Sequence, residues 1–282
     1  MPNRRDEEVI TPRLLREWPL PDPQGDKTAR GTVLVVGGSR FNPGAVLLAG
    51  EAALRAGAGR LQLAVAEETA VPLSIAVPEA KVVGFPSGGD ELPESVAELA
   101  AGADVIAIGP GLDDIGQTTA ILRQVLGVAA KDAGVVLDAY ALGALSKDAS
   151  LLRQRRTVLT PNLTEAEHLL GREPGPDLAA ASRALADRYH AVVSLYGHIA
   201  DPGGGLWREE SGDAGLGTSG SGDVRAGIVA GLLGRGADPA QAACWAAFVH
   251  AVTGQRLAPL RGRTGFLARE LVDELAYTIA TV

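Results

Sequence analysis

The chain has 282 residues, 46% of them hydrophobic and 21% charged, and a formal net charge of −8. That length suits one large α/β domain or two small ones. The acidic balance argues against a general nucleic-acid binder and does not favour an anionic membrane surface, since both call for a basic face.

The single cysteine, Cys244, excludes an intrachain disulfide and fits a reducing compartment, so a cytoplasmic location is expected. It lies in an apolar helical run, Ala242 to Phe248, and reads as inert core. Residues 1–10 are charged and lack an apolar stretch, so no signal peptide is expected. No apolar run approaches the ~18 residues of a membrane span. The 36 glycines are nearly twice the average share of about 7%, which fits many tight strand–helix loops.

Residues 1–30 are rich in Pro, Arg and Asp and read as an irregular arm with one helical turn near Thr11 to Trp18. Pro19, Pro21 and Pro23 then exclude a helix. Thr32–Val36 is a β-branched apolar strand, closed by Gly37-Gly38-Ser39 and followed by an Ala/Leu helix from Gly44 to Ala58. Leu61–Val65 completes a βαβ unit with parallel strands. The adjacent glycines do not have the spacing of a dinucleotide fingerprint. Residues 67–100 are less clear, with a strand at Lys81–Phe85 and a helix at Pro93–Ala101.

Further strands follow at Val105–Ile108, Val135–Leu137, Thr157–Leu159 and Ala191–Leu195, with Leu206-Trp207 as a hairpin strand. Helices are expected at Thr118–Ala130, Leu163–Leu170, Pro176–Tyr189, Pro239–Ala258 and Phe266–Thr278. Strands alternate with helices from Thr32 onward, and no linker splits them. The pattern predicts one doubly wound, mostly parallel α/β sheet with helices on both faces, covering residues 31–282 as a single domain. In such sheets ligands gather at the carboxyl ends of strands.

The most informative loop is Gly217-Thr218-Ser219-Gly220-Ser221-Gly222-Asp223, which runs into the apolar helical segment Val224–Leu233. Its backbone N–H groups and the helix N-terminus suit an anion such as a phosphate. It is not a Walker A loop, because no Gly-Lys-Ser/Thr follows. Asp223 fits either a helix cap or a base that takes a proton from a hydroxyl attacking phosphorus.

Gly-Ser-Gly-Asp-Val-x-x-Gly-Ile-x-x-Gly-Leu-Leu resembles the C-terminal signature of the ribokinase-like superfamily. More narrowly, it is similar to the ADP/ATP-dependent NAD(P)H-hydrate dehydratases. Four further stretches match in order: Val33–Ala45, Leu54-Arg55-Ala56-Gly57-Ala58-Gly59, Ile108-Gly109-Pro110-Gly111-Leu112, and Leu137-Asp138-Ala139 with Leu159-Thr160-Pro161. The resemblance covers roughly residues 10–280. It implies repair of hydrated NADH or NADPH. A phosphoryl group from ADP or ATP, with Mg²⁺, activates the hydrate's hydroxyl, and phosphate then leaves.

Carried over residue by residue, the resemblance makes Asp223 the general base. It assigns the amides of Gly220, Ser221 and Gly222 to the transferred phosphoryl group, and Ala45, Gly111, Asn162 and Asp223 to the substrate. The segment Tyr196, Gly197, His198, Ile199 and Ala200 falls where the family binds nucleotide. Three departures stand out. Asn162 replaces a usual His, and Asn162-Leu163-Thr164-Glu165 resembles the motif by which ribokinase-like kinases hold water on Mg²⁺, which makes Glu165 a water-mediated metal ligand. The family's lysine is absent at Tyr196, where the new ring can stack or hydrogen-bond but cannot neutralise charge. Tyr140 stands for a usual Asp, and Arg225 for a usual Leu; Arg225 either supplies the lost positive charge or faces the surface.

His168 reads as a solvated helix residue, and His250 either faces the site or does not. The four histidines show no metal-ligand spacing. Partners are expected to be small molecules, with neither nucleic acid nor membrane, and a homotetramer is expected from the family. Two other readings use the same loop: a small-molecule kinase of a vitamin precursor, and a paralogue that only binds nucleotide.

Overall fold

A computed structural model describes residues 7–22, 27–89, 91–152 and 155–282. The elements run β1 (Glu8–Val9), α1 (Pro12–Glu17), β2 (Thr32–Val36), α2 (Gly44–Arg55), β3 (Arg60–Ala66), α3 (Glu67–Ala76), β4 (Ala80–Phe85) and α4 (Glu94–Ala101). They continue with β5 (Val105–Ile108), α5 (Ile115–Val128), β6 (Gly134–Leu137), α6 (Tyr140–Leu145), β7 (Arg156–Leu159), α7 (Leu163–Leu170) and α8 (Leu178–Tyr189). The last are β8 (Val192–Leu195), β9 (His198–Ala200), β10 (Leu206–Arg208), α9 (Ser221–Gly234), α10 (Pro239–Arg261) and α11 (Ala268–Ala280).

One sheet has the order β1-β10-β9-β8-β7-β6-β5-β2-β3-β4. Seven strands from β8 to β4 pair in parallel. The central strands β2, β5 and β6 are short, fully buried apolar runs because both faces are covered, while the edge strand β4 carries Lys81 and is only partly buried. Alternate residues go to opposite cores. Val33 and Val35 pack with α2, α9, α10 and α11 on one face. Leu34 and Val36 pack with α4, α5, α7 and α8 on the other. The single, mostly parallel α/β fold expected from the sequence is the fold observed.

The helices with capping residues begin where those residues stand. Asp114 accepts from the Gln117 amide at 2.7 Å and Asp177 from Ala180 at 2.9 Å, so α5 and α8 start at Ile115 and Leu178. The α9 face that meets α2 is made of glycine. A Cβ on Gly227 would lie 2.2 Å from the Ala49 carbonyl oxygen, and one on Gly231 would lie 2.3 Å from that of Ala53. Larger residues there would push the two helices apart.

Four features differ from the sequence reading. The arm contains strand β1, which adds in parallel to β10, and its Trp18 ring lies 5.8 Å from Trp207. The parts of that arm at residues 1–6 and 23–26, Pro23 among them, lie outside the described residues. Residues 67–76 form α3 despite Pro72, and residues 140–145 form the short α6. Finally, His198–Ala200 is a strand rather than a loop. Tyr196 (φ 51°) and Gly197 (φ 87°) make a two-residue turn between β8 and β9. Positive φ at both positions is the geometry that favours tight hairpins.

Cys244 is buried in α10, and burial pushes its thiol pKa well up, as expected of inert core. Among the described residues no helix is long and apolar enough to cross a membrane.

Candidate active site

The strand order reverses where β2 sits between β5 and β3, and the loops after β2 and β5 meet at that point. The Gly38 amide donates to the Pro110 carbonyl and the Ser39 amide to that of Gly111, each at 2.8 Å. Glycine is required at Gly111, whose φ is 71°. A Cβ there would lie 2.4 Å from the Asn42 carbonyl oxygen and 3.0 Å from the Ala45 methyl. The contact therefore brings Ala45 and Gly111 together. Ala45 is the second residue of α2, and Leu48 of the same helix lies against Gly220 at the start of α9.

Gly220 takes the left-handed conformation (φ 86°) and turns the chain into α9. No side chain caps that helix. The Ser221 amide bonds back to Thr218, while a Cβ on Gly222 would meet open space. First-turn amides of an uncapped helix lack intrahelical partners and favour an anion. Asp223 sits in this turn. Burial, then the charge of Glu165, pushes its carboxyl pKa up to about 6. A carboxylate so placed is deprotonated near neutrality yet basic enough to accept a proton.

A polar cluster lies behind the loop. Asp138, at the end of β6, is buried and accepts from the Thr160 hydroxyl at 2.7 Å. Burial raises its pKa to about 7, opposed by the Thr160 hydrogen bond. Arg225 donates from Nη2 to the Thr160 carbonyl at 2.9 Å, so its side chain turns inward. Glu165 forms a capping box with Asn162: each carboxylate or amide oxygen takes the other's backbone N–H, at 2.8 and 2.9 Å. Burial holds the Glu165 pKa up. Among the described residues no group of three acidic, His or Cys side chains converges on a metal position.

Beside this cluster opens a cavity of about 510 Å³, within the size range of small-molecule sites. Its lining combines apolar side chains, Leu216, Ala247 and Ala251, with Asn162, Ser194 and the Tyr196–Gly197 turn. Ser221, Gly222 and Arg225 from α9 also line it, as do Glu209, Glu210 and Asp213. His250 is buried, with Nε2 2.9 Å from the Ser221 hydroxyl. Burial and the Arg225 charge hold its pKa down to about 3, which keeps the ring neutral.

The structure thus groups the sequence-derived candidates in two places. Ala45 and Gly111 meet at the loop pair, while Gly220 and Asp223 stand together at the start of α9, beside Leu48 of α2. Asn162, Tyr196, Gly197, Ser221 and Gly222 line the cavity, and Glu165 stands next to Asn162. Three residues of the 196–200 segment are elsewhere. The His198 ring contacts Glu7 at 2.6 Å, while Ile199 and Ala200 are fully buried in the strand. His250 faces the cavity, and His168 is a solvated residue of α7. Sequence reading missed Asp138 as a site residue, although a carboxylate that ends an apolar strand was a visible signal. It also missed Glu209, Asp213, Leu216, Ala247 and Ala251, which lie in segments without a motif.

The family profile described as NAD(P)H-hydrate dehydratase matches residues 33–276. The chain is similar to an ADP-dependent (S)-NAD(P)H-hydrate dehydratase of Xanthomonas campestris, with 44% identity over 95% of this chain and 94% of that one. It is 36% identical to a bifunctional NAD(P)H-hydrate repair enzyme of Moorella thermoacetica over 93% of its own length, but spans only 52% of that relative. In structure it is similar to an ADP/ATP-dependent NAD(P)H-hydrate dehydratase of Bacillus subtilis co-crystallised with ATP and Mg²⁺. That match has a TM-score of 0.84 and 29% identity, and it covers 98% of this chain and 99% of that one. On the profile match and the Xanthomonas relative together, the chain belongs to the NAD(P)H-hydrate dehydratase family.

Proposed function

We propose that this protein dehydrates the S-epimer of hydrated NADH or NADPH, with ADP or ATP as phosphoryl donor. The observation that carries the reading is the pairing of a carboxylate of raised pKa, Asp223, with the uncapped first turn of α9, whose Ser221 and Gly222 line the cavity. Asp223 takes the proton of the hydrate's ring hydroxyl. The freed oxygen attacks the terminal phosphorus of the nucleotide, whose bond to the leaving phosphate oxygen breaks. The amides of Gly220 and Gly222 stabilise the charge on the transferred group, and the Ser221 amide joins them by leaving the Thr218 carbonyl. The ring C–O bond then breaks with departure of orthophosphate, and loss of a proton from the neighbouring carbon restores the double bond. Hydroxide leaves poorly and phosphate well, which is what the nucleotide is for.

In this reading Ala45 and Gly111 present backbone to the hydrate, and Asn162 offers it a hydrogen bond. Tyr196 and Gly197 flank the nucleotide, with the buried backbone of His198, Ile199 and Ala200 holding their turn. Mg²⁺ fits as an ion carried by the phosphates. Glu165 has one carboxylate oxygen engaged by the Asn162 amide, leaving the other for a metal-bound water. Such an ion would screen phosphate charge. A homotetramer and a cytoplasmic location belong to the same proposal. Exposed Val71 and Ile75 on α3 offer apolar surface for assembly, and the lone thiol needs no oxidising compartment.

The test is product analysis after incubation of hydrated NADH with ADP or ATP. One orthophosphate released per NADH regenerated supports the dehydratase. A stable phosphorylated product without NADH would instead mark a kinase.

A further inference from the structure

Arg225 is a guanidinium that the chemistry above does not use. One donor bonds the Thr160 carbonyl, its Nε is buried without a partner, and among the described residues it forms no ion pair. Asp138 and Glu165 are near enough to feel its charge without contacting it. A guanidinium has five N–H donors, and desolvating it without a counter-ion is unfavourable.

The cavity beside it is otherwise short of positive charge. Among its described lining residues Arg225 is the only Lys or Arg. The acidic residues there already have partners. Asp213 is held by Arg263 at 2.8 Å and Glu210 by Arg208, while Glu209 accepts from the Ser211 and Gly212 amides at 2.6 and 3.0 Å. The Tyr196 position offers a ring and no charge. Arg225 follows Asp223 by two residues, roughly 200° around the helix, so it faces the cavity while Asp223 does not line it.

We propose that Arg225 is the cationic phosphate binder of the nucleotide site, its planar fork engaging phosphate oxygens of a nucleoside di- or triphosphate beside the α9 amides. This rests on the nucleotide-dependent reading given above. Charge that a hairpin lysine would supply comes instead from the signature helix, one half-turn from the base. A guanidinium pairs two oxygens at once and stays charged when partly buried, which suits this position better than an ammonium.

The test is calorimetric titration of ADP and of ATP, each with Mg²⁺, into wild type, R225Q, R225L and R225Q/Y196K, with thermal melts as fold controls. Gln keeps a donor for the Thr160 carbonyl, so R225Q separates charge from scaffold. R225L stands in if R225Q does not fold, because leucine suits a helix interior. The expected result is a Kd about 10- to 100-fold weaker in R225Q and R225L. Its ionic-strength dependence should be shallower, and R225Q/Y196K should recover part of the loss. A folded R225Q or R225L that binds both nucleotides as wild type does overturns the proposal. Wild type that binds neither nucleotide overturns the reading on which it rests.

Discussion

Asp223 and Arg225 leave the start of one helix on different sides: Arg225 bonds the Thr160 carbonyl and lines the cavity, while Asp223 stays on the side of Gly220 and the α2 loop. The two-residue spacing separates a proton acceptor from a fixed positive charge. Had both pointed the same way, the guanidinium would have held the carboxyl pKa down and weakened it as a base.

The base assignment makes Asp223→Asn the sharpest lesion. The amide keeps shape and polarity but cannot take a proton. Turnover should fall about 10²- to 10⁴-fold, the usual worth of a general base, while ADP affinity stays at the wild-type level. Near-normal turnover would remove Asp223 from the reaction.

Asp223 also sets a pH limb. Its raised pKa means that below about 6 it holds a proton and cannot accept another. The rate should therefore fall with unit slope on the acid side of about pH 6, and His250, neutral down to about pH 3, adds nothing there. A pH–rate profile flat down to pH 4.5 would contradict the burial argument.

Asp138 gives a stability prediction. Its folded pKa of about 7 exceeds the ordinary 3.8, so the folded protein keeps a proton that the unfolded chain loses. Its contribution is nil at acid pH and grows unfavourable between about pH 4 and 7. Asn keeps the acceptor for Thr160 and removes the charge. Asp138→Asn should raise the melting temperature at pH 8, with an upper bound of about 4 kcal/mol, and the gain should vanish near pH 4. An equal gain at both pH values would point to packing instead.

Gly227→Ala tests the seat of α9. The added methyl would meet the Ala49 carbonyl oxygen at 2.2 Å, and that atom is backbone. Overpacking of this kind should cost about 1–3 kcal/mol and displace Asp223, so melting temperature and kcat/KM should fall together. A variant with wild-type stability would show that α2 and α9 separate freely.

Tyr196→Lys adds a cation to the hairpin that faces the cavity. It should tighten ADP binding, more strongly in the absence of Arg225 than in its presence. An unchanged Kd in both backgrounds would mean that the turn lies out of reach of the phosphates.

Much of this was legible in the sequence because the parallel sheet writes itself as short apolar runs closed by glycine loops. Thr32–Val36, Val105–Ile108 and Val192–Leu195 each lie in a strand that the apolar pattern marks. The helix α3 was not legible, since Pro72 falls within it and no side chain caps its start. Nor was β9, because a Tyr-Gly turn is tight only if Tyr196 accepts positive φ, at roughly 1–2 kcal/mol. For the site, the loop 217–223 announced itself through glycine spacing. Arg225 did not: facing the surface and facing the cavity are equally consistent with its place in the helix. Only the Thr160 carbonyl, 65 residues away in sequence, settles its direction. Asp138 acquires its pKa from burial that no local pattern records.

The most direct measurement gives the purified protein hydrated NADH, Mg²⁺ and either ADP or ATP, and follows the reduced-nicotinamide absorbance. Recovery should require nucleotide and be lost in Asp223→Asn. No recovery with either nucleotide, although both bind, would contradict the dehydratase reading.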